Sequence, residues 1–431
     1  MRWYIIGSKP LVSRLAPALA ICSTFLLGAC NALDDLLTVE APSRVEASDL
    51  EDPAAAGLLA NSVANEFRCT LTHYAMASAL TGMEMADAIN SASLTIWDQR
   101  IHDTSGFGSQ YAQSDCGGGA PALYLPLSRT RWLADQVLAS LGAWTVAEVP
   151  DKVALEAEVA AYAGYSYVLF GESMCSVTFD LGPEQTPADA FQLAVDRFDQ
   201  SLAAAGSDTQ ILNLARVGKA RALLNLNMKA EAEAVALLVP AGFVFDLQYN
   251  NAENDTRNKA YEMNKRDSEL TVAETYRDVR FAGVPDPRVA VTDEGITGSG
   301  TTIPIWTADK YPLGDSPIQL ATWEEAQLIV AEAALADGRL QEAVDIITAL
   351  HTNVGLPAFA STDADEILDQ IIYERQAELF LEGHHLQDIK RLNIPLFPPT
   401  GTDLPFGGSY GDEVCFELPA IEFLNNPNVS G

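Results

Sequence analysis

Acidic and histidine side chains are concentrated between residues 374 and 391, where two kinds of chemistry are conceivable. These are general acid–base catalysis by three glutamates and metal binding by two histidines and an aspartate (Glu374, Glu378 and Glu382; His384, His385 and Asp388). Paired carboxylates that hydrolyse a glycosidic bond face each other across the substrate at about 5–10 Å, whereas these glutamates follow one another along a helix. The spacing therefore favours a structural role, in which the charges lock a helix against its neighbours.

Cys30 is a candidate for covalent modification. Three basic residues, Arg2, Lys9 and Arg14, precede an uncharged apolar run that ends at Ala29 and is too short to span a bilayer. The run closes with Leu-Gly-Ala-Cys, which resembles the bacterial lipobox, after which the cysteine is acylated. We predict a signal peptide over residues 1–29 and a lipidated acidic tether over 30–52. The alternative is an ordinary secretory peptide followed by an incidental cysteine.

Four further cysteines remain in the exported chain, and they permit three disulfide pairings. We favour Cys69 with Cys116 and Cys175 with Cys415. A zinc site is a weaker hypothesis, because the chain has no CxxC spacing and its histidines do not cluster around the cysteines. Calcium in the acid-rich loops stays an alternative, although no EF-hand loop is present. We assign no metal-binding residues and expect no cofactor.

The charge of the chain excludes one class of partner. The 431 residues carry 26 Lys and Arg against 59 Asp and Glu, a formal charge of −33. Nucleic-acid binding depends on basic side chains that neutralise phosphates and release counterions, so a polyanion of this strength would be repelled. We therefore expect no nucleic-acid ligand, and no attraction to anionic lipid surfaces beyond the lipid anchor itself.

Hydrophobic spacing predicts a mainly all-α fold with almost no strands. Helical periodicity covers the following segments: 53–81, 121–142, 152–173, 187–205, 211–226, 229–239, 322–336, 339–352 and 365–386. Thr322 and Thr186 are typical N-caps, and Gly338 is placed to end a helix in the left-handed conformation. The helices follow one another in pairs that are joined by short turns.

Small residues recur within these pairs. Ala331 and Ala343 flank one turn, and Ala220 and Ala232 flank another at the same spacing. This spacing resembles the tetratricopeptide repeat, where small residues let two antiparallel helices approach closely. We predict a superhelix of about four such pairs, which occupies residues 53–431. A generic helical bundle with many alanines is the alternative.

Two regions interrupt the helical pattern, near residues 91–121 and 241–320. Both are rich in glycine, asparagine, aspartate and aromatic residues. Long connections without regular structure are commonly functional, and their aromatic content argues against disorder. We therefore expect these loop-rich insertions to carry the function.

The segment 371–391, IIYERQAELFLEGHHLQDIKR, resembles the C-terminal signature of the SusD/RagB family of outer-membrane lipoproteins. The matching residues, to which we assign a structural role, are Glu374, Arg375, Glu378, Glu382, Gly383, Asp388 and Arg391. The preceding helix pair, the closing segment LPAIEFLNNPNV and the lipobox agree with this resemblance. One position departs from it: His385 stands where the family usually has arginine and cannot make the bidentate contacts of a guanidinium.

The resemblance implies a protein that binds a glycan or a similar oligomeric nutrient and delivers it to a SusC-type TonB-dependent channel. It also implies a lipid-anchored position in the outer membrane, exposed at the cell surface. Sugar rings pack their C–H faces on flat aromatic rings, while amides and acids bind their hydroxyls. The candidate ligand-binding residues, taken from the two insertions, are Trp97, Asp98, Arg100, His102, Tyr249, Asn250, Trp306 and Tyr311.

Two other functions remain as alternatives. A secreted glycosidase would need two opposed carboxylates in a cleft, and the chain gives no sign of them beyond helical neighbours. A helical-repeat scaffold of the envelope would need a protein-binding groove and no sugar-stacking ring. We expect the chain not to be an enzyme.

Overall fold

The computed structural model describes residues 51–102 and 109–429. The predicted signal peptide, the lipidation site Cys30 and all but the last two residues of the predicted tether lie outside this range.

Helices dominate the described chain, and most of them lie within a few residues of the predicted segments. The first helix, α1, is preceded by a short 3-10 turn at Pro53–Ala55. The helices of the repeat region are α1 (Ala56–Thr81), α2 (Ala92–Asp98), α3 (Gln110–Gln113), α4 (Tyr124–Ala143), α5 (Lys152–Ser173), α6 (Pro187–Ala204), α7 (Thr209–Asn225) and α8 (Lys229–Ala236). The later helices are α9 (Trp323–Ala336), α10 (Leu340–Val354), α11 (Ala364–Glu378), α12 (His385–Leu392) and α13 (Ala420–Asn425).

The helices stack in sequential pairs, as the alanine spacing predicts. Helix α1 packs on α4, α5 on α6, α7 on α8 and α9 on α10, and each pair also contacts the next. The mainly helical superhelix of about four pairs is thereby confirmed. Its caps form as expected: the Thr186 side chain closes a capping box with Asp189, and the Thr322 hydroxyl accepts from the Glu325 amide.

Two glycines, Gly164 of α5 and Gly218 of α7, let these two helices pack closely against α6. A Cβ at Gly164 would stand 2.7 Å from Phe198 Cε1, and one at Gly218 would stand 2.3 Å from Phe198 Cζ. The Phe198 ring is fully buried between them. Because no side chain larger than hydrogen fits at either position, these glycines set the distance between α5, α6 and α7.

The predicted helix over 365–386 is wrong at its C-terminal end. The chain leaves α11 at Glu378 and starts α12 only at His385. Leu381 and Gly383 adopt positive φ angles of 59° and 85°, which turn the backbone between the two helices. The signature residues therefore occupy two helices and the turn between them, not one helix surface.

The near absence of strands is also a wrong prediction. The described chain contains eight short strands, most of them inside the second insertion: β1 (Met85–Asp87), β2 (Val244–Leu247), β3 (Leu270–Val272), β4 (Arg280–Phe281), β5 (Val284–Pro285), β6 (Val291–Thr297), β7 (Pro304–Ala308) and β8 (Ile318–Thr322). They form four antiparallel pairs, β1–β3, β2–β8, β4–β5 and β6–β7. Most are too short, and β6 too exposed, to show an alternating hydrophobic pattern.

Charged side chains of the signature join the C-terminal helices to the rest of the fold. Arg375 Nε lies 2.7 Å from Asp388 Oδ2, and Arg391 binds both Asp388 and Glu332 of α9. These guanidinium groups hold the pKa of Asp388 below its usual range despite its burial. Asp388 is thus a buried, ionised acceptor that ties α11 and α12 together.

A second charged cluster attaches the insertion to α11. Arg288 Nη1 lies 2.7 Å from Glu374 Oε2 and 3.1 Å from Glu378 Oε2, and Glu374 also contacts the buried ring of His351. Lys310 of the insertion reaches Glu382 at 2.7 Å. The glutamates considered as catalytic groups are therefore occupied as structural ion-pair partners.

Both favoured cysteine pairs are disulfide-bonded. Cys69 joins Cys116, and Cys175 joins Cys415 across a sequence separation of 240 residues. The second bond fastens the end of α5 to the segment that precedes α13. It therefore closes most of the superhelix into one covalent loop.

Candidate functional site

Phe397 stands at the centre of a cleft formed where the second insertion meets the segment after α12. The cleft consists of two adjoining depressions, of about 360 Å³ and about 280 Å³. Both include Met83 and Phe397 in their walls. We refer to the two depressions together as the Phe397 cleft, and a volume of this order accommodates a small oligomeric ligand.

The first depression has apolar walls and a few polar groups. Phe397 is 46% exposed and forms part of the wall. The remaining wall comes from α11, α12 and the turns of the insertion, with side chains including Tyr276, Val289, Tyr373, Gln376, Ile389 and Leu396. An exposed ring beside a tyrosine and an amide offers both a stacking face and hydrogen-bonding groups.

The second depression is more polar. Its walls combine apolar side chains with hydroxyl, acid and guanidinium groups, among them Thr95, Glu274, Arg277, Thr402, Asp403 and Tyr410. Arg277 is held by a hydrogen bond from its Nε to the Val272 carbonyl, 2.9 Å away. Donors and acceptors of this variety suit a ligand that carries many hydroxyl groups.

Asp98 and Asp87 line the second depression but serve the protein's own backbone. The Asp87 amide donates to Asp98 Oδ2 at 2.8 Å, and the Asp87 carboxylate accepts from Ser91 N and Thr95 Oγ1. Burial raises the pKa of Asp98 to about 8 and raises that of Asp87 as well. At neutral pH Asp98 is therefore largely a neutral acid that stabilises the entry into α2.

Arg100 and His385 are buried residues in the wall of the first depression. Arg100 donates through Nε, Nη1 and Nη2 to the carbonyls of Gly411, Phe397 and Pro398. His385 packs edge-on against Tyr276 with ring centroids 6.0 Å apart. Burial lowers the pKa of His385 to about 4, so a neutral ring occupies the position where the related proteins were expected to carry a cation.

Several candidate ligand-binding residues are buried in the core, which corrects their assignment as surface groups. Trp97 is 0% exposed, packs against Phe416 at 5.4 Å and donates its Nε1–H to the Ser93 carbonyl. The His102 ring lies 4.0 Å from the same phenylalanine. Tyr249 and Tyr311 are buried too, and their hydroxyls donate to main-chain carbonyls. Tyr249 nevertheless belongs to the wall of a depression of about 550 Å³ beside the Cys69–Cys116 disulfide, as does Asn250.

The other candidates keep some contact with the surface. Asn250 is exposed, and its side-chain oxygen accepts from Ala252 N and Thr256 Oγ1, so it stabilises a turn. Trp306 is half-buried on β7, and the guanidinium of Arg277 lies 5.6 Å from its ring centroid. Because Arg277 lines the cleft, Trp306 supports the cleft wall through its contact with this guanidinium.

Phe397 and Arg277 are the residues that the sequence analysis missed. Phe397 follows the signature, in a proline-rich run, IPLFPP, that could not pack as a helix. An aromatic residue that lies between prolines and outside any periodic hydrophobic pattern could have been predicted to be exposed. Arg277 gave no comparable signal, because only the fold brings it to the cleft.

The described residues contain no group of three or more histidine, cysteine or acidic side chains placed to hold a metal ion. Among the same residues, no helix has the length and apolar character needed to cross a bilayer.

Comparisons with known proteins agree with the fold. A model of the SusD family matches residues 325–411, which include the signature and Phe397. A search of curated proteins found no match. The resemblance to the SusD/RagB family that the sequence predicts is thereby supported independently of the lipobox.

Solved structures share the fold over nearly the whole chain. A SusD homolog from Bacteroides thetaiotaomicron is 13% identical and aligns over 90% of this chain and 99% of its own, with a TM-score of 0.67. A SusD superfamily protein from Bacteroides fragilis is 12% identical and aligns over 88% and 99%, also with 0.67. A SusD-like carbohydrate binding protein from Bacteroides vulgatus is 16% identical and aligns over 88% and 97%, with 0.62. The predicted SusD-like architecture is confirmed.

Proposed function

We propose that this SusD-like chain binds a glycan or a similar oligomeric nutrient in the Phe397 cleft and delivers it to a SusC-type TonB-dependent channel in the outer membrane. The acylated Cys30 would hold the protein at the cell surface. Two or three acyl chains suffice for such anchoring, because each buried methylene contributes roughly 0.8 kcal/mol. One related structure is described as a carbohydrate binding protein, which supports the choice of ligand class.

The exposed ring of Phe397 carries this proposal. Phe397 is a wall residue of both depressions, which together offer tyrosine, threonine, glutamate and arginine side chains. A sugar residue bound in the cleft can place its C–H face on the exposed part of the aromatic ring and its hydroxyls against the polar walls. This arrangement fits an oligomer that crosses the cleft.

Two of the four acids in the cleft wall, Asp87 and Asp98, serve the protein's own backbone, which favours binding over hydrolysis. Asp87 and Asp98 are tied to the backbone at the start of α2, and Asp98 keeps its proton at neutral pH. A retaining or inverting glycosidase uses two opposed acids, one protonated and one ionised, that both face the sugar ring. Asp87 and Asp98 instead accept hydrogen bonds from donors of the protein itself. We therefore propose a binding protein without catalytic activity.

A glycan array tests the ligand class. The intact lipoprotein in mild detergent should retain at least one polysaccharide, and Phe397→Ala should weaken the affinity for it by about 1–3 kcal/mol because the stacking face is lost. Trp306→Ala should have a smaller effect, since Arg277 covers that ring. Leu313→Ala is the control, because Leu313 is exposed but does not line the cleft.

The partner is tested separately by co-purification. The tagged lipoprotein should bring down a TonB-dependent channel in mild detergent, since stable complexes commonly bury more than about 1,200 Å². Cys30→Ser should release the protein from the membrane fraction. Recovery of the protein alone in several detergents would contradict delivery to a channel and leave the glycan site standing.

A further inference from the structure

A shallow groove on the helical-repeat side of the molecule is separate from the Phe397 cleft. It has a volume of about 390 Å³ and shares no wall residue with the cleft. Helix α4, the turn after β-bridge residue Val177 and helix α13 form it. We call it the Trp132 groove, and its walls are Tyr124, Ser128, Arg129, Arg131, Trp132, Thr178, Asp180, Leu181 and Glu422.

Trp132 lies outside the buried stripe of α4. That stripe runs through Leu127, Ala134, Val137 and Leu141, at the spacing expected for one helix face. Trp132 is 48% exposed, and among the described tryptophans it is the most exposed. A half-exposed indole gains little from packing, so its presence here calls for another use.

Polar groups of the same helix lie beside the indole. Ser128 and Arg129 precede Trp132 by four and three positions, so they lie one turn away on the same face. Helical side chains lean toward the N-terminus, which brings the indole toward that turn. The floor of the groove is therefore an aromatic ring flanked by a hydroxyl and a guanidinium.

The opposite wall is a turn in an unfavourable backbone conformation. Asp180 and Leu181 have φ angles of 53° and 59°, although neither is glycine. Such left-handed residues cost of order 1–3 kcal/mol each and persist where the surroundings impose them. The turn leaves the Leu181 side chain 58% exposed at the groove.

Specific side chains hold this turn in place. Arg131 Nη1 donates to both carboxylate oxygens of Asp180, at 2.9 and 2.8 Å. Asn426 donates to the Gly182 carbonyl at 2.7 Å, and Asn428 donates to the Leu181 carbonyl at 2.8 Å. The wall is therefore rigid before any ligand arrives, which lowers the entropic cost of binding.

Glu422 of α13 completes the groove. Its Oε1 accepts from the Tyr124 hydroxyl at 2.7 Å, which orients the carboxylate toward the groove. Together with Arg129 and Asp180 it supplies charges of both signs around the indole. Donors and acceptors that surround a flat apolar ring match a ligand with alternating C–H and hydroxyl surfaces.

We propose that the Trp132 groove is a second saccharide-binding site, which holds one or two sugar residues of a polymer against the indole. The site is independent of the Phe397 cleft. Two weak sites on one chain raise the retention of a long polymer well above that of either site, because the second contact is intramolecular. Short oligosaccharides that cannot reach both sites gain nothing from the pair.

Affinity electrophoresis of the intact lipoprotein tests the groove. The probe is the array polysaccharide that the intact protein retains most, incorporated in the gel. Trp132→Ala should weaken retention about tenfold or more, and Trp132→Phe should keep part of it because a flat ring remains. Trp144→Ala is the control, since Trp144 ends the same helix outside the groove.

The Phe397→Ala background separates the two sites. The Phe397→Ala variant should still retain some polysaccharide. If adding Trp132→Ala abolishes this residual retention, the groove is supported. If Trp132→Ala leaves polysaccharide retention unchanged both in the unaltered protein and in the Phe397→Ala variant, the Trp132 groove is not a saccharide site. That result does not affect the proposal for the Phe397 cleft. Loss with Trp132→Ala alone, with no effect of Phe397→Ala, supports the groove and contradicts the cleft. An array on which the intact protein retains nothing contradicts both.

Discussion

At the scale of the residue, Trp97 shows that burial changes the consequence of a substitution. The side chain is fully enclosed and packs on Phe416, and its ring nitrogen donates to the Ser93 carbonyl. Trp97→Ala should therefore lower the free energy of unfolding by about 3–5 kcal/mol, because it leaves a large cavity. Chemical denaturation measures the loss. Trp132→Ala, at an exposed position, should cost much less, and equal losses for the two variants would contradict the burial of Trp97.

Asp98 predicts a dependence of stability on pH. Its pKa is about 8 in the folded protein and near 4 in an unfolded chain, so between these values the folded state holds a proton that the unfolded state has released. Stability must then fall as pH rises, by about 1.4 kcal/mol per pH unit for this group.

Asp98→Asn removes this contribution while keeping the oxygen that accepts from the Asp87 amide. Unfolding free energies at pH 5, 6 and 7 should fall less steeply for the variant than for the unaltered protein. Buried acids that do not interact with Asp98 titrate equally in both proteins and cancel in the comparison, whereas Asp87 is coupled to Asp98. Parallel slopes would show that Asp98 is already ionised in the fold.

Residue type alone predicted only part of the site. Trp97, Tyr249 and Tyr311 were chosen because aromatic side chains bind sugars, but tertiary packing encloses all three. Phe397 is exposed because the chain around it is rich in proline and cannot join a helix. The cleft joins residues 83, 277 and 397, and periodicity cannot reveal contacts across such distances in sequence.

At the scale of the element, long amphipathic helices were predicted well and short elements poorly. Helix α5 begins and ends where the hydrophobic period places it, at Lys152 and Ser173. The break between α11 and α12 was missed because the intervening residues, LFLEGH, include good helix formers. The strands were missed because two to seven residues give too little alternation for a period to emerge.

Two glycines with positive φ offer a matched test of that break. Gly383 has a φ of 85°, and a Cβ there would stand 2.7 Å from the Tyr74 ring, whereas the space around Gly338 is open at a φ of 74°. Gly338→Ala should cost about 1–2 kcal/mol, which is the backbone cost alone. Gly383→Ala should cost about 1–3 kcal/mol more, because the ring must move. Thermal or chemical unfolding measures both, and equal losses would contradict the contact with Tyr74.

At the scale of the whole molecule, two disulfides close loops of very different size. Cys69 and Cys116 are 47 residues apart, and Cys175 and Cys415 are 240 apart. In the chain-entropy description the two bonds contribute about 4 and about 5 kcal/mol, because a longer loop restricts the unfolded chain more. Replacement of each pair by serine, followed by denaturation, should show the larger loss for Cys175 and Cys415. The reverse order would indicate that strain or residual structure dominates.

The position of a bound oligosaccharide decides whether the Phe397 cleft is the ligand-binding site. A crystal structure of the protein with an oligosaccharide selected by the array should show sugar rings at Phe397, with hydroxyls within hydrogen-bond distance of Arg277, Glu274 or Tyr373. Sugar bound elsewhere, with the Phe397 ring free of ligand, would rule out the Phe397 cleft as the binding site, whatever the affinity measured in solution.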